Sequence, residues 1–134
     1  MQKIVWELPI KTCDETNAYE PPYSKTRRRK QQQHFIRLLF NREARPVPMP
    51  CLVTFVRLGP KEMDADDNLR TTMKFLKDGL AGCLFPEKAL TYRTKKGKIY
   101  QNLGRCDDDP RVKWQYRQEK ATRLGVRIEI EPLQ

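Results

Sequence analysis

The chain has 134 residues, the length of one ordinary domain, and carries 27 Lys and Arg against 17 Asp and Glu for a formal charge of +10. No run approaches the roughly 20 apolar residues of a membrane helix. Residues 1–10 lack the apolar centre of a signal peptide, so a cytoplasmic protein is expected. Cys13, Cys51, Cys83 and Cys106 stand far apart with no CxxC pair, which argues against a structural zinc site and for reduced thiols.

In chain order, residues 3–8 (Lys-Ile-Val-Trp-Glu-Leu) alternate loosely and predict a first strand, closed by Pro9. Residues 11–23 hold Asn17, Pro21 and Pro22 and read as a loop. Residues 24–43 contain no Gly or Pro and predict a helix with Ser24 as its cap. Phe35, Ile36, Leu39 and Phe40 give its second half an apolar face, and Pro46, Pro48 and Pro50 end it. Residues 51–58 (Cys-Leu-Val-Thr-Phe-Val-Arg-Leu) have the composition of a buried strand, stopped by Gly59-Pro60.

A second helix is expected over 68–82, where Leu69, Met73, Leu76 and Leu80 recur at i, i+4, i+7 and i+11. In the polar stretch 86–105, Lys95-Lys-Gly-Lys98 predicts a turn, with Tyr92 and Ile99-Tyr100 flanking it as a small hairpin. Val112, Trp114 and Tyr116 alternate with polar residues as a half-exposed strand, and 126–131 (Val-Arg-Ile-Glu-Ile-Glu) is the cleanest alternation in the chain. The order predicts one domain over 1–134 of the α/β (α+β) class, a single mixed sheet with two helices packed on it.

The positive charge is unevenly placed. Residues 25–30 carry five cations in six positions, and 88–105 carry Lys88, Arg93, Lys95, Lys96, Lys98 and Arg105 with no acid. Residues 61–82 reverse the sign, with four cations against five acids. Basic arms around an acidic focus suit a protein that grips phosphates and holds a divalent cation between them.

The acidic focus is Met63-Asp-Ala-Asp-Asp-Asn-Leu69, between a strand and a helix start. One aspartate, Asp66 or Asp67, is accounted for as a helix cap. Three within four residues repel one another, and a hard cation such as Mg²⁺ offsets that repulsion. From Asp67, the helical period places Thr71, Lys74 and Asp78 on one face, about 200° from the Leu69 stripe. Lys74 is then either a cation for a phosphate or the partner of Asp78 in a surface ion pair. Asp107-Asp-Asp-Pro110 is a second cluster, readable as a solvated turn or as carboxylates meeting the first cluster at one point. His34 is the only histidine, and GxSxG, HExxH and P-loop motifs are absent.

Taken together these segments resemble the RusA family of Holliday junction resolvases, in particular its phage-encoded members. The matching residues are Val53–Pro60, Met63–Leu69, Lys74, Asp78-Gly-Leu-Ala81, Asp107–Val112, Trp114, Tyr116, Gln118 and Gly125–Ile130. The resemblance covers roughly 51–131, and 86–105 looks like a basic insertion within it. It implies a homodimer that nicks paired strands of branched DNA, four-way junctions, with Mg²⁺ and with Mn²⁺ as substitute. It implies no membrane association and no nucleotide cofactor. Asp67-Asn68-Leu69 matches the family's acidic motif directly. The companion acid two positions earlier falls on Ala65, flanked by Asp64 and Asp66, and Asp109 matches the third acid. Asp64, Asp66, Asp67 and Asp109 are thus the expected Mg²⁺ ligands, with Lys74 stabilising charge on the phosphate. Arg27, Arg28, Arg29, Lys30, Lys95, Lys96 and Lys98 are the expected DNA contacts. A non-catalytic nucleic-acid-binding protein that keeps the same fold is the alternative.

Overall fold

The computed structural model describes residues 3–12, 21–61 and 66–133, apart from the side chains of Pro22, Asp66, Asp67 and Asn68. The chain is mixed α and β. Its elements are β1 (Ile4–Leu8), α1 (Pro22–Arg42), β2 (Cys51–Gly59), α2 (Asp66–Thr72), α3 (Lys74–Leu84), β3 (Leu90–Arg93), β4 (Ile99–Asn102), β5 (Val112–Lys120) and β6 (Gly125–Pro132). Short 3₁₀ turns at Pro86–Lys88 and Cys106–Asp108 bracket the β3–β4 hairpin.

Four strands form one sheet in the order β1-β6-β2-β5. β6 lies antiparallel to both β1 and β2, whereas β5 lies parallel to β2. A parallel neighbour requires a long crossover, and here that crossover carries α2, α3 and the hairpin. The two central strands are the most apolar. Val53, Phe55, Val56, Val126, Ile128 and Ile130 are fully buried, and each such side chain contributes on the order of 1.5–3 kcal/mol of hydrophobic stabilisation.

One sheet face is covered by helices. Ile36 of α1 joins Leu76 and Leu80 of α3 in a single core with Trp6, Phe55 and Ile128. The two helices approach closely at Gly79, where an added Cβ would lie 3.2 Å from the Gln33 Cα. The opposite face is ionic. Glu129 is buried there and pairs with Lys3 at 2.9 Å and Arg127 at 2.8 Å, with Arg117 at 3.4 Å. A buried carboxylate is tolerated because three cations surround it.

Three details differ from the sequence expectation. The β3–β4 hairpin is a separate two-stranded sheet, so the described residues form two sheets where one is expected. The expected helix over 68–82 is two helices joined at Met73, whose backbone (φ −96°, ψ 3°) leaves the helical range. Hydrogen bonds still span the break, from the Met73 N–H to the Leu69 carbonyl and from the Lys77 N–H to the Met73 carbonyl. The Leu69, Met73, Leu76 and Leu80 stripe is therefore kept and buried as read. Finally, α1 starts at Pro22 instead of at a Ser24 cap. Proline at the first helical position loses no hydrogen bond, since that N–H has no intrahelical partner.

Candidate functional site

The crossover from β2 to β5 packs α3 against the 106–108 turn and α2 against β5. A cavity of about 400 Å³ opens there, lined by Arg70, Thr71, Lys74, Lys77, Asp78, Gly104, Asp107 and Tyr116. Tyr116, which lines it, belongs to an aromatic ladder. Phe55 stacks on Trp114 at 5.9 Å and on Tyr116 at 6.0 Å between ring centroids. The register of β2 against β5 sets this ladder, pairing Val53 with Trp114 and Phe55 with Tyr116. The Trp114 indole N–H donates to the Asp107 carbonyl at 3.3 Å, which holds the acidic turn against β5.

Charge is concentrated in this cavity. The Lys77 ammonium lies 3.0 Å from an Asp107 carboxylate oxygen and 5.5 Å from the Trp114 ring centroid. Burial opposes the Lys77 charge, but hydrogen bonds to Asp107 and Tyr116 and the Asp107 field outweigh it, so the lysine stays charged to higher pH than usual. Asp78 behaves in the opposite way. Burial foremost, and then the negative Asp107 beside it, push its carboxyl up to about 6 despite the nearby Lys74 and Lys77. Two carboxylates on different elements thus share one cavity, and ionising both is costly.

The expected site residues fall in different places. Lys74 is exposed and lines the cavity beside Asp78. Asp64 lies outside the described residues. Asp66 and Asp67 form the first turn of α2, but their side chains also lie outside them. Asp109 is buried at the start of β5 and already engaged. It accepts hydrogen bonds from the Arg111 backbone N–H at 3.0 Å and from the guanidinium at 2.9 Å, and pairs with Lys88 at 3.2 Å. Those partners, Arg111 foremost, hold its carboxyl well below the usual range. The carboxylate of the second cluster that faces Lys77 and Asp78 is Asp107.

The basic run of α1 divides by helical period. Arg27 and Arg28 line one cavity with Lys11, Ser24 and Gln32. Arg29 and Lys30 line another, of about 400 Å³, whose wall includes Lys74 and Asp78. Lys74 and Asp78 border both this cavity and the acidic one, so Arg29 and Lys30 of the basic run adjoin Asp78. Lys95, Lys96 and Lys98 are exposed at the hairpin tip. Sequence reading singles out neither Lys77 nor Tyr116 for the site. Asp78 does carry a signal, since it shares the helical face of Asp67 and Lys74.

Among the described residues no three His, Cys, Asp or Glu side chains form a group that could hold a metal ion. Asp78 and Asp107 supply oxygen donors, the type that Mg²⁺ takes, and a cation held between them would relieve their mutual repulsion. Cys51, Cys83 and Cys106 are free thiols. Among the described residues no helix is long and apolar enough to cross a membrane. No protein-family model, curated protein or solved structure matches the chain.

Proposed function

We propose that this chain is a Mg²⁺-dependent endonuclease of the RusA type that nicks four-way DNA junctions as a homodimer. The observation that carries this reading is the acid pair Asp78 and Asp107 in a cavity rimmed by Lys74 and Lys77, with Arg29 and Lys30 in the adjoining cavity that shares Lys74 and Asp78. Cations of that density attract a phosphate backbone, while paired carboxylates in their midst repel it unless they hold a metal. Asp78 and Asp107, with the first-turn aspartates Asp66 and Asp67, would hold Mg²⁺ or Mn²⁺. The metal, when bound, supplies an activated water and polarises the scissile phosphate. The protein's own groups orient the substrate. Arg29 and Lys30 take phosphates on one side of the acids, and Lys74 offsets the charge that builds on the phosphoryl oxygens. Lys77 holds Asp107 in place through its 3.0 Å ion pair.

The second reading, a nucleic-acid-binding protein without catalysis, is favoured by one observation. Asp107 and Asp109 are each matched by internal cations, Lys77 for the first and Lys88 with Arg111 for the second. Incubation of a synthetic four-way junction and a linear duplex with Mg²⁺ or EDTA separates the two. Nicking of the junction with Mg²⁺ is expected, lost in Asp67→Asn and Asp107→Asn while junction binding persists or tightens. Equal loss of binding and cleavage would identify these acids as structural, and no nicking by the wild type would leave the binding protein as the answer.

A further inference from the structure

The β3–β4 hairpin is unusual in what it exposes. All eight of its strand residues are exposed, among them Leu90, Tyr92, Ile99 and Tyr100 at 43–62%. A lone two-stranded ribbon is marginal in water, and exposed apolar patches mark binding surfaces. Its turn is built for projection. The Gly97 N–H donates to the Thr94 carbonyl, the Thr94 N–H donates to the Lys98 carbonyl, and Gly97 takes a left-handed φ of 84°. That is a three-residue loop with a glycine bulge, and it crowds Lys95, Lys96 and Lys98 at the tip.

Tyr92 and Tyr100 are direct cross-strand partners, and their rings stack at 5.8 Å between centroids, 26° from parallel. Both rings line the cavity that Arg29, Lys30 and Lys74 share with Asp78. We propose that this ribbon is a stacking platform for unpaired DNA bases, and that a single-stranded segment lies between it and α1 with its phosphates on Arg29 and Lys30. The chemistry selects this occupant. Flat aromatic faces recognise bases only where those bases are unstacked, as they are outside a duplex. The cations opposite suit a phosphate backbone and disfavour an apolar protein surface. The assignment of this strand to the branch point of a junction rests on the nuclease reading; the binding itself does not.

The test measures binding by the full-length protein in EDTA, so that cleavage plays no part. Fluorescein-labelled dT20 and a blunt 20-base-pair duplex are titrated with wild type, Tyr92→Ala/Tyr100→Ala and Tyr92→Phe/Tyr100→Phe. The alanine pair should weaken dT20 binding by about tenfold or more, leave duplex binding within about twofold, and keep the far-ultraviolet circular dichroism of the wild type. The phenylalanine pair should bind dT20 like the wild type. A Tyr92→Leu/Tyr100→Leu variant keeps apolar bulk without ring faces and should lose dT20 binding as the alanine pair does. Equal weakening of dT20 and duplex, or no weakening of either, overturns the platform. So does a fall in sedimenting mass in the alanine or leucine variant, which would assign the ribbon to contact with a second copy of the chain.

Discussion

Asp78 offers a quantitative check on the site. Its carboxyl is raised from the ordinary 3.8 to about 6 by burial and by Asp107. The native state therefore binds this proton more tightly than the unfolded chain does. Between pH 3.8 and about 6 stability falls as pH rises, and above about 6 the whole penalty is present. The gap corresponds to about 3 kcal/mol at 1.36 kcal/mol per pH unit. Asp78 is part-exposed, and solvent screening reduces the effect to about 1–2 kcal/mol. Asparagine mimics the neutral form at nearly the same size. Asp78→Asn should thus be more stable than the wild type by about 1–2 kcal/mol at pH 7.5, or about 4–8 °C in Tm for a chain of this size. The gain should vanish at pH 4. Thermal melts followed by circular dichroism in EDTA at pH 4.0, 5.5 and 7.5 provide the measurement. Mg²⁺ at tenfold its Kd should add about 1.4 kcal/mol to the wild type and less to the variant. A variant less stable at pH 7.5, or a gain that persists at pH 4, would refute the electrostatic account.

Two further outcomes are expected. Asp109→Ala should lower Tm at neutral pH, because Arg111, and with it Lys88, holds the native carboxyl below its ordinary range. That stability is present above pH 3.8 and lost as pH falls below it, so the wild type and variant should converge in acid; equal Tm at pH 7 would show that the ion pairs are screened. If the chain acts on junctions, which have two symmetric cleavage positions, a C₂ dimer presents one acidic site to each. Sedimentation at micromolar concentration should then report about twice 15.9 kDa, and a monomer that persists with junction DNA would favour the binding protein.

The strands and helices were legible because their causes are local. The alternation of Val126, Ile128 and Ile130 needs no knowledge of a partner to predict one buried face, and the Leu69–Leu80 stripe survives the break at Met73. The hairpin around Gly97 is equally local, since its turn is written in adjacent residues. The acidic and basic segments were also visible as charge runs. What the tertiary structure decided is which of these charges meet. The family resemblance selects Asp109, but the 106–108 turn points successive side chains in different directions. Arg111 claims Asp109, while Asp107 turns to Lys77 and Asp78. The strand order β1-β6-β2-β5 follows from pairings between residues far apart in sequence. The division of the α1 basic run depends on which neighbour packs on each side of the helix. Charge and hydrophobic period are properties of a segment and can be read from it. The distance between two carboxylates belongs to the packing of the elements that carry them, and it exists only once the chain has folded.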